Sequence, residues 1–229
     1  LILMGIMVAL EIVCVLDPAR RNYYYNDVQL GIWWQIWDWQ LWRPFTTTLL
    51  HGGLLHLLMN FSAFIIFGPA IELRLGSYRY LALIVLLAYA STLSQYIAGD
   101  YWTPVAEQAG MVGFSGVLFG MAGFMLAGRL KNPDMAMIMN PQAVRGLAIW
   151  FFLCLALTQL GILRIGNIAH GSGFVFGFLY GMALYAPRNR GLWFAGAAAA
   201  TVIVLAVLIA CPGHPGYEAY KQARAMGQL

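Results

Sequence analysis

Charged side chains are scarce in this sequence, in which Asp, Glu, Lys and Arg together account for 10% of 229 residues. Hydrophobic residues make up 61%, and the mean hydropathy is +0.71. So few polar groups cannot cover the surface of a water-soluble domain, which excludes a soluble globular protein and indicates an integral membrane protein. The net charge is only +4, and the arginines stand beside apolar runs, where they orient membrane helices. We therefore predict no nucleic-acid partner.

Cysteine is also rare. The three cysteines, Cys14, Cys154 and Cys211, are an odd number at wide spacing, and the first two lie inside apolar runs. This pattern excludes a disulfide framework, and no set of histidines and cysteines has the spacing of metal ligands. The sequence therefore predicts neither a metal site nor an organic cofactor, and the cysteines are interpreted as small hydrophobic residues.

Long apolar segments are what the sequence has in abundance. A helix needs about 20 apolar residues to cross the hydrocarbon core of a bilayer, and the alternating pattern of a membrane β-barrel is missing. We therefore predict an all-α polytopic membrane protein. Seven candidate spans are predicted, at residues 1–16, 54–71, 80–98, 114–128, 146–162, 166–186 and 192–210.

Basic residues are unevenly distributed between the two sides of these spans. The connections after spans two, four and six contain seven of them, against only Glu72 and Asp134. These basic residues are Arg74, Arg79, Arg129, Lys131, Arg145, Arg188 and Arg190. The positive-inside rule then predicts a cytoplasmic N-terminus and an extracytoplasmic C-terminus, although six basic residues lie on the opposite side.

The connection between spans one and two, residues 17–53, is long and rich in aromatic residues. They include Tyr23, Tyr24, Tyr25, Trp33, Trp34, Trp37, Trp39 and Trp42. Amphipathic rings favour the headgroup layer, so we expect this loop to lie partly embedded at the outer membrane interface. A loop of this length is typical of a functional segment, and interfacial anchoring alone is the alternative.

Three spans contain polar side chains, which hydrocarbon strongly disfavours unless they have a partner or a task. His56 and Asn60 are four residues apart in span two and share one helical face. Ser115 opens span four, and His170 lies in span six. A serine hydroxyl becomes a nucleophile when a base within about 3 Å accepts its proton, so Ser115 and His170 are predicted to form a nucleophile–base pair.

Stripes of glycine provide a means of bringing the serine and the histidine together. Gly116 and Gly120 form a stripe on span four, and Gly173 and Gly177 form another on the same face of span six as His170. Small residues four apart allow two helix backbones to approach closely. If the two stripes face each other, the predicted pair is held by backbone contact.

Span four is short, because about 15 residues rise about 22 Å, less than the roughly 30 Å of the hydrocarbon core. Its outer end is therefore predicted to lie below the membrane surface. This would place Ser115 at the floor of a depression open to water from outside. Such access is required if a peptide bond inside the membrane is to be hydrolysed.

An oxyanion formed by attack of Ser115 would need hydrogen-bond donors. The backbone N–H of Ser115 at a helix start is one candidate, and the side chains of Asn60 and His56 are the others. No Asp or Glu lies in the middle of spans two, four and six, so a dyad without a third member is predicted. Each residue also has a structural alternative, since a serine often bonds the carbonyl four residues earlier and a lone histidine or asparagine often ties two helices together.

Four motifs, taken in order, resemble the rhomboid intramembrane serine proteases. They are Trp42-Arg43 in the first loop, His56-x-x-x-Asn60, Gly113-x-Ser115-Gly116, and Ala169-His170-x-x-Gly173-x-x-x-Gly177. The resemblance covers about residues 42–181. It implies an intramembrane serine endopeptidase with Ser115 and His170 as the catalytic dyad, and with His56, Asn60 and the Ser115 amide as oxyanion donors.

The resemblance also implies supporting roles for three further residues. Arg43, next to Trp42, would organise the first loop, and Glu72 would be a polar anchor at the cytoplasmic end of span two. Phe119 takes the position at which well-known bacterial members have a tyrosine that stacks on the catalytic histidine. The ring of Phe119 can still stack, without the phenol hydroxyl.

The common core of the family has six helices. The resemblance therefore divides the chain into a rhomboid-like six-helix catalytic core, residues 1–186, and an additional C-terminal transmembrane helix with a tail, residues 187–229. It implies a multi-pass protein of the bacterial inner (plasma) membrane whose active site opens to the extracytoplasmic side. Its partners would be the lipid bilayer and transmembrane protein substrates that enter sideways between spans two and five.

Other classes of membrane protein remain as alternatives. The main one is a catalytically inactive rhomboid-like protein that binds membrane clients, although such proteins typically lose the serine or the histidine that this chain retains. A retinal protein or seven-helix receptor is disfavoured because the last span has no lysine for a Schiff base and no polar ligand pocket. A transporter is disfavoured because the sequence has no internal repeat with broken helices and midplane ionisable residues.

Overall fold

The computed structural model describes residues 2–22, 39–98 and 112–210, together with residues 24, 36, 218, 221–222 and 225–226. Every regular element of the three long ranges is helical. The helices are α1 (Ile2–Leu16), α2 (Pro18–Asn22), α3 (Arg43–Thr46), α4 (Leu54–Leu75), α5 (Ser77–Ala98), α6 (Ser115–Gly128), α7 (Pro133–Ile138), α8 (Pro141–Gln159), α9 (Asn167–Tyr185) and α10 (Arg190–Ala210). A 3₁₀ turn, Thr47–Leu49, follows α3.

Each predicted span overlaps one of these helices over most of its length, and the predicted all-α polytopic membrane fold is confirmed. In the described part of the chain, five helices are long and apolar enough to cross a membrane, namely α4, α5, α8, α9 and α10. Helices α1 and α6 are shorter, with 15 and 14 residues. The largest boundary difference is in span five, where α8 begins at Pro141 instead of residue 146. The cause is local, because the Asn140 side chain caps the Ala143 N–H at 3.0 Å and Pro141 suits the first helical position.

Helix α6 lies at the centre of the bundle. It is apolar on all sides and almost entirely buried, as expected of a helix surrounded by other helices. Helices α4, α5 and α9 pack around it, and the fully buried Leu87 of α5, Met121 and Phe124 of α6 belong to the core. The first residue of α6, Ser115, is thereby placed among these three helices.

Glycines allow α6 and α9 to pack backbone against backbone. A Cβ atom at Gly177 would overlap the carbonyl oxygen of Gly120, and a Cβ atom at Gly173 would overlap that of Gly116. The two predicted stripes therefore face each other. Gly123 continues the contact, since a Cβ there would overlap the Phe174 backbone. Backbones this close leave no room for a side chain between them.

Helices α8 and α10 lie at the periphery. Only 6% of the residues in the apolar part of each helix are buried, so both present apolar side chains at the outside of the bundle. Helix α10 is joined to α9 by the hydroxyls of Thr201 and Tyr180, which are 2.8 Å apart. The division into a core, residues 1–186, and an additional helix with a tail, residues 187–229, stays a prediction. Most of the tail, including Cys211, lies outside the described residues.

The first loop is tied to α5 over its C-terminal part. The Tyr89 hydroxyl donates to the Leu41 carbonyl at 2.5 Å, and the Thr92 hydroxyl donates to the Pro44 carbonyl at 3.1 Å. The segment before α4 is thereby fixed to the helix that packs on α6. The predicted interfacial aromatics Tyr23, Tyr25, Trp33, Trp34 and Trp37 lie outside the described residues.

Candidate active site

Gly113 shapes the turn that leads into α6 and the nucleophile candidate. Its φ of 111° lies in the left-handed region, which favours glycine. A Cβ atom there would also collide with the His56 ring. The Ser115 N–H is among the first four of the helix, which have no partner inside the helix. Glycine at this position thus permits both the turn and the close approach of His56.

Ser115 and His170 lie side by side, although 55 residues separate them in the sequence. The Ser115 Oγ is 2.7 Å from the His170 Nε2. His170 is 5% exposed, and its Nδ1 has no hydrogen-bond partner among the described residues. With Nε2 as the acceptor, the imidazole is placed to take the serine proton. The arrangement is a serine beside a histidine, and no carboxylate of the described residues hydrogen-bonds to the second ring nitrogen of that histidine.

The Phe119 ring stacks on the imidazole of His170. The two ring centroids are 4.5 Å apart, and the ring planes differ by 17°. Phe119 is itself held edge-on by Phe151 of α8, with centroids 6.0 Å apart. The phenylalanine in place of the usual tyrosine therefore retains the stacking contact.

The separation of α6 and α9 determines the distance between serine and histidine. Gly173, one turn after His170, lies against the carbonyl of Gly116, the residue after Ser115. On its other sides Gly116 is close to Ser91, where an added Cβ would lie 2.9 Å from the Ser91 side chain. A larger residue at either glycine would push α9 away from α6 and lengthen the distance from Ser115 Oγ to His170 Nε2.

Two polar side chains of α4 flank Gly113, two residues before the serine. A Cβ built on Gly113 would lie 2.7 Å from His56 Nε2 and 3.6 Å from Asn60 Nδ2. Asn60 is 5% exposed, and its Nδ2 has no hydrogen-bond partner in the described ranges. Buried donors in folded proteins almost always have a partner. Asn60 Nδ2 is therefore a donor that, within the described ranges, is available next to the turn that leads into Ser115.

The predicted supporting residues outside this cluster are all well placed for structural contacts. Arg43 is 1% exposed in the first loop, and its Nε donates to Gln40 Oε1 at 2.7 Å, while its neighbour Trp42 is half exposed. Glu72 lies at the opposite end of α4 from His56 and accepts a hydrogen bond from the Ser77 hydroxyl at 2.7 Å. Glu72 thereby connects α4 to α5.

Sequence reasoning missed two polar residues near the site. His51 is 2% exposed, and its ring contacts His56 edge-on, with centroids 5.2 Å apart. Gln95 of α5 accepts a hydrogen bond from the Ala169 N–H at 3.1 Å, next to His170. The five-residue spacing of the two histidines was a readable signal. Gln95 stands at the end of an apolar span and has no local signal of its role.

A small cavity adjoins Ser115 between α5, α6 and the start of α9. Its lining consists of Ser91, Thr92, Val112, Gly113, Ser115, Gly116, Gly166 and Ala169. The three hydroxyl groups make it a polar recess beside the serine. Among the described residues, no group of three or more His, Cys, Asp or Glu side chains is placed to hold a metal ion.

Residues 38–187, well over half of the chain, match the family model of the Rhomboid domain. The chain belongs to the rhomboid family. The rhomboid protease GlpG of Haemophilus influenzae is 31% identical to it over 158 residues, which cover 68% of this chain and 76% of that protein. The rhomboid protease GlpG of Pectobacterium atrosepticum is 30% identical over 152 residues, 66% of this chain and 50% of that protein. RHOMBOID-like protein 1 of Arabidopsis thaliana is 33% identical over 154 residues, 66% of this chain and 36% of that protein.

The predicted family is confirmed, and this rhomboid is an integral multi-pass membrane protein. It spans half or less of the length of the Pectobacterium and Arabidopsis relatives. The bacterial relatives are named proteases and the plant relative is named rhomboid-like. Because one fold can host different functions, catalysis by this rhomboid has to be inferred from its own site.

Proposed function

We propose that this rhomboid is an intramembrane serine endopeptidase that hydrolyses peptide bonds in or near the transmembrane segments of other membrane proteins. Ser115 is the nucleophile and His170 is the base. The observation that carries the proposal is the 2.7 Å distance between the Oγ of the half-buried Ser115 and the Nε2 of the buried His170, among apolar helices. The protease names of the two bacterial relatives agree with it.

The reaction proceeds through an acyl-enzyme. Ser115 Oγ attacks the scissile carbonyl carbon while His170 Nε2 accepts the hydroxyl proton. His170 returns that proton to the leaving amine as the C–N bond breaks, and an ester on Ser115 remains. A water molecule then attacks the ester, His170 accepts a proton from it, and the Ser115 Oγ is reprotonated as the carboxylic acid leaves. The same nitrogen, His170 Nε2, transfers the proton in both acylation and deacylation, and Phe119 keeps the imidazole in position.

Three donors stabilise the oxyanion in each half-reaction. They are the backbone N–H of Ser115, the Nε2 of His56 and the Nδ2 of Asn60. The buried Asn60 Nδ2 supports the assignment, because it has no hydrogen-bond partner among the described residues and lies beside the turn that leads into Ser115. Removal of one such donor typically lowers kcat by about 10²- to 10³-fold.

The position of the site within the membrane follows from the short α6. Its 14 residues rise about 21 Å, less than the roughly 30 Å of the hydrocarbon core, so Ser115 lies below the outer surface. We assign the N-terminus to the cytoplasm and the site to the extracytoplasmic side of a bacterial inner membrane, on the distribution of arginines. The polar recess beside Ser115 then admits the water needed for deacylation.

Substrates enter from the bilayer between α4 and α8. The sparse burial of α8 supports this route, because a weakly packed helix is displaced at low cost. Substrates would be transmembrane segments with helix-destabilising and small residues near the cut, since an extended strand is needed to reach Ser115. Neither a metal nor an organic cofactor has a part in the reaction.

The test is labelling of the detergent-solubilised protein by a fluorophosphonate probe, with the label located by mass spectrometry. Wild type should be labelled at Ser115, and both Ser115→Ala and His170→Ala should abolish labelling. Ser172→Ala is the matched control, since the Ser172 hydroxyl donates to the Ile168 carbonyl at 2.7 Å within α9 and should be dispensable. If a folded wild-type protein takes no label, the catalytically inactive, client-binding function is favoured instead.

A further inference from the structure

We propose that His51 is a positioning residue for this reaction, whose ring packs edge-on against His56 and keeps the His56 Nε2 directed at the oxyanion formed on Ser115. The inference rests on the proposed function, in which His56 is an oxyanion donor. The role that we assign to His51 in the reaction is indirect. It acts only through His56.

His51 is held firmly before α4 begins. It is 2% exposed, follows the equally buried Leu50, and stands between the 3₁₀ turn Thr47–Leu49 and the first turn of α4. The centroids of the His51 and His56 rings are 5.2 Å apart, and the ring planes meet at 70°. A fixed ring that presents its edge to a neighbouring ring limits rotation of that neighbour.

The backbone fixes His56 at its other nitrogen. The Gly52 N–H donates to His56 Nδ1 at 3.4 Å, so a neutral His56 carries its proton on Nε2, the nitrogen beside Gly113. This is the tautomer that an oxyanion donor needs. A single long hydrogen bond leaves the ring free to turn about it. The edge of His51 supplies the second contact that defines the ring plane.

His51 provides this contact without a charge. Burial, and secondarily the neighbouring His56, lower the pKa of His51 from 6.5 to about 4, while a backbone hydrogen bond at Leu49 acts in the opposite direction. The ring is therefore neutral around pH 7. Because His51 would orient His56 by its shape and not by its charge, the phenyl ring of His51→Phe should preserve this function, whereas the methyl group of His51→Ala should not.

A double-mutant cycle with His56 tests the proposal on cleavage of a transmembrane substrate in proteoliposomes. We expect His51→Ala to lower kcat about tenfold with KM unchanged, and His51→Phe to stay within about threefold of wild type. In a His56→Ala background, His51→Ala should cause no further loss. Ile71→Ala, at the fully buried opposite end of α4, controls for lost stability and should leave kcat unchanged.

The proposal would be overturned if the kcat losses of the two single variants multiplied in the double variant. It would also be overturned if His51→Phe were as impaired as His51→Ala. If His51→Ala does not fold, His51→Leu takes its place in both backgrounds. NMR relaxation of the His56 ring gives a readout without substrate, in which the ring should be rigid in wild type and in His51→Phe but mobile in His51→Ala. A His56 ring that stays equally rigid in His51→Ala would count against the inference even if wild type proved inactive, and inactivity of wild type alone would refute only the protease function.

Discussion

The ring contact between Phe119 and His170 is a means of supporting the proposed base, which has no carboxylate partner among the described residues. A histidine in a serine–histidine–aspartate triad is oriented by a hydrogen bond to its second nitrogen. Here that nitrogen, Nδ1, has no partner within the described ranges, and the face of the ring is held at a centroid distance of 4.5 Å by Phe119. Orientation by stacking thus takes the place of orientation by hydrogen bonding.

Substitutions of Phe119 should distinguish the contribution of the aromatic ring from that of a phenol hydroxyl. We expect Phe119→Tyr to retain wild-type kcat within about threefold, because the face of the ring is unchanged, and Phe119→Leu to lose about tenfold, because the imidazole is no longer flanked by a flat surface. The measurement is kcat and KM on a reconstituted transmembrane substrate. An equal loss in both variants would show that stacking is not what Phe119 contributes.

Asn60 should be a residue whose removal costs activity and not stability. Its buried Nδ2 makes no hydrogen bond to any described residue, so we expect Asn60→Leu to leave the free energy of unfolding unchanged or raise it while kcat falls about 10²-fold. Asn132→Leu is the opposite control, because the Asn132 Nδ2 donates to the Gly128 carbonyl at 2.9 Å. It should destabilise the protein by about 1 kcal/mol and leave kcat intact. The measurements are thermal unfolding in detergent and the cleavage assay. A loss of stability in Asn60→Leu, or a wild-type kcat in that variant, would contradict the prediction.

At the scale of elements, the helix pair α6 and α9 serves both the fold and the site. The glycine contacts form the centre of the bundle and, at the same time, bring a residue of α9 within hydrogen-bond distance of the first residue of α6. Any displacement of one helix against the other therefore directly changes the distance between the proposed nucleophile, Ser115, and the proposed base, His170. We call the contacting glycines of α6 and α9 the glycine seam; they are Gly116, Gly120, Gly123, Gly173 and Gly177. Stability and activity should respond together to changes in this seam.

Gly177→Ala tests this coupling. The added Cβ would overlap the Gly120 carbonyl, so we expect a loss of about 1–3 kcal/mol in the free energy of unfolding together with a fall in kcat. Gly146→Ala in α8 is the matched control, because a Cβ there meets nothing within 4 Å. It should be neutral or slightly stabilising. Equal effects of the two substitutions on the unfolding midpoint would refute the close contact.

Much of this element-level arrangement could be predicted, and the exceptions have physical causes. Apolar length and glycine spacing are local properties, so the helices and the facing stripes could be read from the sequence. The first turn of α8 was missed because a capped polar start, Asn140-Pro141, does not register as an apolar run. Gln95 and the ring contact of His51 were missed because their partners come from elsewhere in the fold, and no local pattern encodes them.

At the scale of the whole molecule, the helices differ in how firmly they are held. Helices α5, α6 and α9 form a packed centre, whereas α8 and α10 lie at the outside of the bundle and are little buried. Helix α10 is joined to α9 by the Tyr180–Thr201 hydrogen bond, and α8 by the Asn167 amide, which donates to the Thr158 hydroxyl at 2.8 Å. The centre can therefore keep the site rigid while a peripheral helix moves.

A crosslink between the helices α4 and α8 should test whether substrates reach the site between these two helices. In a variant without native cysteines, we expect a crosslink between cysteines at the lipid-exposed positions Leu58 of α4 and Leu153 of α8 to block cleavage of a transmembrane substrate while fluorophosphonate labelling of Ser115 persists. A crosslink between positions 180 and 201, which already touch, is the control and should leave cleavage unaffected. Full cleavage with α4 and α8 tied together would exclude entry between them.

The glycine seam also limits how this protein can change over time. Glycine is the smallest amino acid, so every missense change of its codon enlarges the residue and none is conservative. At Gly120, Gly123, Gly173 and Gly177 the space that an added methyl group would occupy is taken by the backbone or side chains of the packed helices. In a saturation mutagenesis library these codons should be depleted of all substitutions, whereas Gly146 and Gly196, which face open space, should accept many.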